Sequence, residues 1–243
     1  MKLCKVCLKS KSLESFPCRI DGMGFKTCFE CSAMPLTSEQ LEIVNGSLLG
    51  DAGLRRGVLR ILHTRADRCY VEWSHAKLSN LCSQRGIYDS SYYDKRTCKT
   101  YHSSVFSSRT TREFKTLEKL WYPSGTKIVP NISLTPLTLA VWYSDDGWCV
   151  HRIRPDKKQN SLECGFCTDG FTYADVTRLC GMVNSLLETD AFRIVQKGTT
   201  DQYRIYSNTK GALALYPLLK ERLASMMLPR KLAPYESYFA SKA

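Results

Sequence analysis

The stretch Leu139 to Gly147, Leu-Ala-Val-Trp-Tyr-Ser-Asp-Asp-Gly, constrains the fold more than any other part of the chain. Thr135 is a good N-cap and Pro136 suits the first helical position, so a helix is expected to start there. The apolar run that follows ends in two acids and a glycine that stops the helix. Carboxylates at this end face the negative pole of the helix dipole and are unfavourable without a cation. The same signals occur earlier. Thr37-Ser38-Glu39-Gln40 is a capping box, Leu41, Val44 and Leu48 recur at helical spacing, and the segment closes Leu49-Gly50-Asp51-Ala52-Gly53.

Both helices carry small residues: Gly46, Ser47 and Gly50 in the first, Ala140 and Ser144 in the second. Small side chains at helical spacing let two helix backbones approach closely. Packed in parallel, the two helices would bring Asp51 and Asp146 together. Two carboxylates in one place repel, and a shared divalent cation such as Mg²⁺ is the usual remedy. On periodicity alone, two ordinary buried helices with solvated terminal acids explain the pattern equally well.

These segments resemble the two signature motifs of the LAGLIDADG homing endonucleases, in the single-chain form with two pseudo-symmetric halves. The likeness extends to Tyr70–His75, Trp121–Pro130 and Leu134–Trp142, and runs from about Leu36 to near the C-terminus. The resemblance implies that Asp51 and Asp146 occupy the positions of the family's metal-binding acids. It also implies that Lys127 and Lys231 match basic residues kept beside that metal site. The acids would then face the minor groove near the centre of bound DNA. Ala52 stands where glycine is usual and Asp145 where a small residue is usual; the sequence assigns no role to the Asp145 charge.

The chain has 243 residues and a formal charge of +12, from 35 basic and 23 acidic side chains. Such a balance points to a polyanionic partner, and nucleic acid is favoured. No apolar run approaches the roughly 18 residues that cross a bilayer, so no membrane partner is expected. The N-terminus has no apolar secretory core, so an intracellular, non-secreted protein is expected. Twelve cysteines without export suggest metal ligands and buried thiols rather than disulfides. Cys18, Cys69, Cys82, Cys98, Cys149 and Cys180 read as small apolar residues, and Cys164-Gly-Phe-Cys167 as structural.

Residues 1–34 read as a separate zinc ribbon or knuckle. Cys4-Lys-Val-Cys7 and Cys28-Phe-Glu-Cys31 are two Cys-x-x-Cys pairs, which can close a tetrahedral shell around Zn²⁺. So short a segment has no adequate core, and metal binding would supply its folding energy.

The first half spans 35–131. After the signature helix, Leu54–Leu62 and Arg68–Trp73 read as a hairpin and Ser74–Arg85 as a helix. Ile87–Tyr93 and Lys99–Ser107 read as a second strand pair. Thr110–Leu120 reads as a helix with Phe114, Leu117 and Leu120 inward. The second half, 132–243, repeats the order. Trp148–Ile153 and Leu162–Thr168 flank a loop over Arg154–Ser161, and Thr172–Glu188 is helical. Phe192–Gln196 and Tyr203–Ser207 form a hairpin, and Thr209–Met227 is a helix with a break expected near Pro217. The fold class is therefore α+β: two αββαββα halves whose four-stranded sheets form a basic β-saddle, with the small N-terminal module added. The candidate DNA contacts are Arg55, Arg56, Arg60, Arg65, Arg68, Lys95, Arg96, Lys99, Arg154, Lys157, Lys158 and Lys197. Strand-borne cations can read bases or hold phosphates, and β-ribbons can enter the major groove; a solvated edge that resists aggregation is the plainer explanation. His63, His75, His102 and His151 read as structural residues or phosphate contacts.

The resulting expectation is a monomeric, Mg²⁺-dependent, site-specific double-strand DNA endonuclease with a long asymmetric target. An intron RNA-binding maturase and a DNA-binding regulator without cleavage are the alternatives.

Overall fold

The computed structural model describes residues 1–5, 8–16, 28, 30, 35–154 and 159–242. Its N-terminal part pairs β1 (Lys2–Leu3) with β2 (Ser10–Lys11). The first half then runs α1 (Ser38–Leu49), β3 (Gly53–Arg55), β4 (Val58–Thr64), α2 (Arg68–Lys77), β5 (Tyr88–Asp94), β6 (Lys99–Ser107) and α3 (Arg112–Trp121). The second runs α4 (Pro136–Asp146), β7 (Gly147–Arg154), β8 (Gln159–Phe166), α5 (Tyr173–Leu186), β9 (Phe192–Gln196), β10 (Tyr203–Ser207), α6 (Thr209–Ser225) and α7 (Pro229–Ala240). Each half builds one antiparallel four-stranded sheet, in the order β3-β4-β6-β5 and β7-β8-β10-β9. The matching strand order is the pseudo-symmetry that the element order suggests, and the α+β reading holds.

The caps explain where the signature helices begin. Thr37 accepts from the Gln40 amide and the Gln40 side chain returns the bond, completing a capping box. Thr135 accepts from the Thr138 amide, with Pro136 in the first turn. α1 and α4 lie side by side and run the same way. At their starts, Thr135 donates to Glu42 at 2.6 Å. Midway, a Cβ added at Gly46 would stand 2.6 Å from the Thr138 carbonyl oxygen and 2.7 Å from Val141 Cβ. At their ends, one added at Gly50 would stand 2.4 Å from Asp145 Cβ. Only glycine allows this approach, because backbone and Cβ atoms cannot yield as flexible side chains can. Fully buried Ile43, Val44 and Leu48 on α1 and Leu139, Val141 and Trp142 on α4 make the seam the centre of the core.

Several expected elements are corrected. Arg68–Trp73 is helical rather than a strand: Tyr70, Val71 and Ser74 are buried at helical spacing, and the aromatic and β-branched composition mimicked a strand. The partner of the β3 region is β4, across a turn at Arg56 and Gly57 whose amides donate to the Glu118 carboxylate at 2.8 and 2.6 Å. The helix expected over Ser74–Arg85 accordingly starts earlier and ends at Lys77, followed by a short 3-10 turn over Ser79–Leu81. Leu120 is 52% exposed, while Phe114 and Trp121 carry the inward face of α3. β7 runs to Arg154 and β8 starts at Gln159, so both strands reach further into the expected loop over Arg154–Ser161. α6 continues through Pro217 because fully buried Leu215, Leu219 and Leu223 hold it to the core. A further helix, α7, ends the chain, so the second half is αββαββαα. No helix among the described residues is long and apolar enough to cross a membrane.

Candidate functional site

Asp51 and Asp146 stand at the ends of the closely packed pair α1 and α4, where one strand of each sheet begins. Burial and the neighbouring Asp145 charge raise the pKa of Asp51. Burial, with Asp51 and Asp145 close by, pushes Asp146 up to about 7. Both shifts have the sign expected of partly desolvated carboxylates crowded together. Oxygen donors so placed suit a hard cation. Mg²⁺ is usually held by one or two carboxylates, with water and phosphate oxygens completing its shell.

Two lysines flank these acids in matching ways. Lys127 Nζ donates to the carbonyls of Gly50 and Ala52 at 2.9 and 3.0 Å. Lys231 Nζ donates to the carbonyls of Tyr143, Asp145 and Gly147 at 3.1, 3.4 and 2.5 Å. Each ammonium thus sits on the negative end of one signature helix, where orphan carbonyls need donors. Burial pushes both lysines down to about 8, against the pull of the acids. Lys231 comes from within α7 and Lys127 from the segment after α3, so comparable positions are reached from unlike local structure.

Asp145 is not at the surface. Its side chain is 3% exposed and accepts from Tyr70 Oη at 2.9 Å and from the Asp51 amide at 3.3 Å. His63 lies beside it. Its Nε2 is 3.4 Å from Asp145 Oδ1 and 4.0 Å from Asp51 Oδ2, and its Nδ1 is 3.1 Å from Asp67 Oδ2. Burial opposes a charge on His63, but Asp145, Asp51 and Asp67 together raise its pKa. Buried Asp67 is held in turn by Arg230, whose Nε donates at 2.7 Å and whose Nη2 reaches the other carboxylate oxygen. Neither Asp145 nor His63 was legible as a site residue. One clue was available: Asp145 matches Gly50 at the offset that relates Asp146 to Asp51, so a charge faces a glycine across the seam.

The strand faces away from the helices carry several of the predicted contacts. A hollow beside Asp51 is lined by Gly53, Arg55, Val58, Arg60 and Leu62. Arg56 is exposed in the β3–β4 turn. Lys95 and Arg96 are exposed at the β5–β6 turn, and Lys99 starts β6. Arg65 and Arg68 are displaced from the expected hairpin. They follow β4 on a 3-10 turn and α2, and both pair with Asp89; Arg68 also pairs with Glu72. On the second sheet, Lys197 and Arg204 converge on Asp169, holding its carboxyl at about 2. The pairs Arg152 with Glu163 and Arg193 with Tyr206 share this face. Arg154 ends β7, while Lys157 and Lys158 lie outside the described residues. His75 packs edge-on against Phe106; His102 and His151 bond Ser91 and Ser237.

In the N-terminal part, Cys4 and Cys28 meet. The Cys28 amide donates to Cys4 Sγ at 3.4 Å, and both are buried with Phe16. Cys7 and Cys31 lie outside the described residues.

Comparison with known proteins bears on the family and the fold. A profile of the LAGLIDADG DNA endonuclease family matches residues 41–215. The cytochrome b mRNA maturase bI2 of Debaryomyces hansenii is 26% identical over 209 residues, covering 80% of this chain and 72% of that protein. DNA endonuclease I-ChuI of Chlamydomonas applanata is 28% identical over 173 residues, covering 65% of this chain and 77% of that protein. Among solved structures, the homing endonuclease I-WcaI bound to its DNA recognition sequence superposes with a TM-score of 0.66 at 18% identity, covering 81% of this chain and 90% of that chain.

Proposed function

Because the chain belongs to the LAGLIDADG DNA endonuclease family, we propose that it is a site-specific double-strand DNA endonuclease in which Asp51 and Asp146 hold Mg²⁺ between the halves. The observation that carries this reading is the pairing of two acids at the ends of two glycine-seamed helices, beside a hollow on the arginine-bearing sheet face. The likeness to I-ChuI, named a DNA endonuclease, supports it.

Phosphodiester hydrolysis mainly demands positioning and neutralisation of developing charge. A divalent ion bound there would polarise the phosphate, lower the pKa of water and stabilise the leaving oxygen. The chain's own residues do the rest. The two sheets bind the duplex through strand-borne arginines and lysines and set its register over the acids. Lys127 and Lys231, anchored on helix-end carbonyls, present amines near neutrality that can hold or release a proton beside the scissile phosphate. We further propose that Cys4, Cys7, Cys28 and Cys31 bind one Zn²⁺ and fold the N-terminal segment.

Asp51→Asn and Asp146→Asn test the assignment. Each removes a metal carboxylate at nearly constant volume and should lower double-strand cleavage by at least about a hundredfold, with DNA affinity within about threefold. Gel-shift and cleavage assays on one preparation read both quantities. A variant that cuts at the full rate in Mg²⁺ overturns that acid's role. The relative named a maturase favours a second reading, intron RNA binding. Wild type that binds intron RNA tightly and leaves all duplexes intact would replace the first reading with the second.

A further inference from the structure

Asp145 breaks the symmetry of the seam. The offset that relates Asp51 to Asp146 also relates Gly46 to Val141 and Gly50 to Asp145. At one member of this last pair there is no side chain; at the other there is a carboxylate that is 3% exposed. A buried carboxylate is costly unless it is fully bonded. Its polar contacts all go to the other half: it accepts from Tyr70 Oη at 2.9 Å and from the Asp51 amide at 3.3 Å, and His63 Nε2 lies 3.4 Å away. His63 in turn rests on Asp67, and Asp67 on Arg230 of α7. The chain of contacts starts in the second half, crosses the first and returns to the second. It holds the backbone of Asp51 itself, because the amide that donates to Asp145 belongs to the acid. Gly50 has no side chain with which to return the contact to Asp146.

Resting on the reading of Asp51 and Asp146 as metal acids, we propose that Asp145, braced by Tyr70 and His63, is a positioning residue for Asp51, and that the two acids therefore depend unequally on their surroundings. The carboxylate of Asp51 is 54% exposed and would swing about its backbone without this anchor. Asp146 has its own support: its carbonyl accepts from the Cys167 amide at 3.0 Å, and Lys231 grips the carbonyls around it. Neither contact needs Asp145's carboxylate.

Tyr70→Phe is the gentlest probe, since it deletes one hydroxyl and keeps the ring that stacks on Trp73. Asp145→Asn keeps the volume and weakens the acceptor. Wild type and both single variants, with the double variant, are compared as full chains on a duplex labelled on each strand. Single-turnover rates, DNA dissociation constants and Ca²⁺ titrations of the protein–DNA complex by calorimetry are measured together. Tyr70→Phe should raise the half-saturating metal concentration about threefold to tenfold, and excess Mg²⁺ should restore most of its rate. Asp145→Asn should lose about tenfold or more in rate, and the double variant little further, because both act through one contact. DNA affinity should stay within about twofold in each.

Two results overturn the proposal: additive losses in the double variant, or unchanged metal half-saturation and rate in both singles. A global loss of fold would weaken DNA binding together with metal binding, and that pattern also counts against positioning. Wild type that takes up no divalent ion in the complex defeats the metal-acid reading itself, a result distinct from either.

Discussion

Lys127 and Lys231 each hold a buried ammonium on the carbonyl end of a signature helix. That location favours a double role, structural and catalytic, over a plain phosphate contact. Lys127→Met takes the donor away from the Gly50 and Ala52 carbonyls, and Lys231→Met from those of Asp145 and Gly147, while the Tyr143 carbonyl keeps the Gly147 amide. Each unmet buried acceptor costs about 1–3 kcal/mol, so both variants should melt earlier. The catalytic part is read on saturated DNA, where each should slow single-turnover cleavage by about tenfold or more with little change in affinity or salt slope. A pure phosphate contact would instead weaken binding and lower the salt slope by about one. Normal rates with weakened binding would leave only the acids in the site. The sequence made Asp51, Asp146 and the two lysines visible because helix ends and motif text mark them. His63 and Asp145 stayed hidden for a physical reason. Their significance lies in contacts between segments far apart in the chain, and a lone histidine or a second acid carries no local signature of its partner.

At the scale of elements, the seam between α1 and α4 makes a prediction whose sign is informative. Alanine is a better helix former than glycine by about 1 kcal/mol, so Gly46→Ala would stabilise an unpacked helix. Here the new Cβ meets the Thr138 carbonyl and Val141 Cβ, neither of which can step aside. Overpacking should cost about 2 kcal/mol or more in urea denaturation and should spread the two acids, lowering cleavage as well. A stabilised variant would contradict the seam. Element boundaries with local chemistry were legible: both capping signals, the β5–β6 and β9–β10 hairpins, and α5. The error at Arg68–Trp73 has the opposite origin. Its strand-like composition was overridden by burial of Tyr70, Val71 and Ser74 against the sheet, a choice made by tertiary packing. The N-terminal segment is the element that metal should decide. Purified chain should carry about one Zn²⁺, lost on changing Cys28 and Cys31 to serine, with the fold of residues 35–242 retained by circular dichroism. Zinc persisting in that double variant would redirect attention to Cys164 and Cys167.

For the whole molecule, the halves are repeats in topology but not in chemistry, and on the proposed function this bears on the form of the target. Both acids lie in one chain, and Arg230 with Asp67 and Asp145 with Tyr70 fasten the halves to each other. Among the described residues, both acids and the contacts that brace them come from this one chain. The repeat was legible from element order, whereas α7, with Pro229 in its first turn and Pro234 inside it, was not. The reading faces differ as well. The first sheet offers Arg55, Arg60 and Leu62 beside Asp51. The second offers Arg204 and Lys197 pinned by Asp169, with Arg193 against Tyr206. Unlike side chains at matching places read unlike bases, so the preferred duplex should be long and poorly palindromic. With a formal charge of +12, affinity for any duplex should fall steeply with salt. Selectivity should survive across that range, since it rests on base contacts and on the unequal halves. Light scattering of the complex should give one 27.7 kDa chain per duplex. Duplexes made palindromic from either half-target should be cut more slowly than the native site, and by different factors. Two chains per duplex, or equal cutting of both palindromes at the native rate, would mean that the two halves read DNA as a symmetric pair.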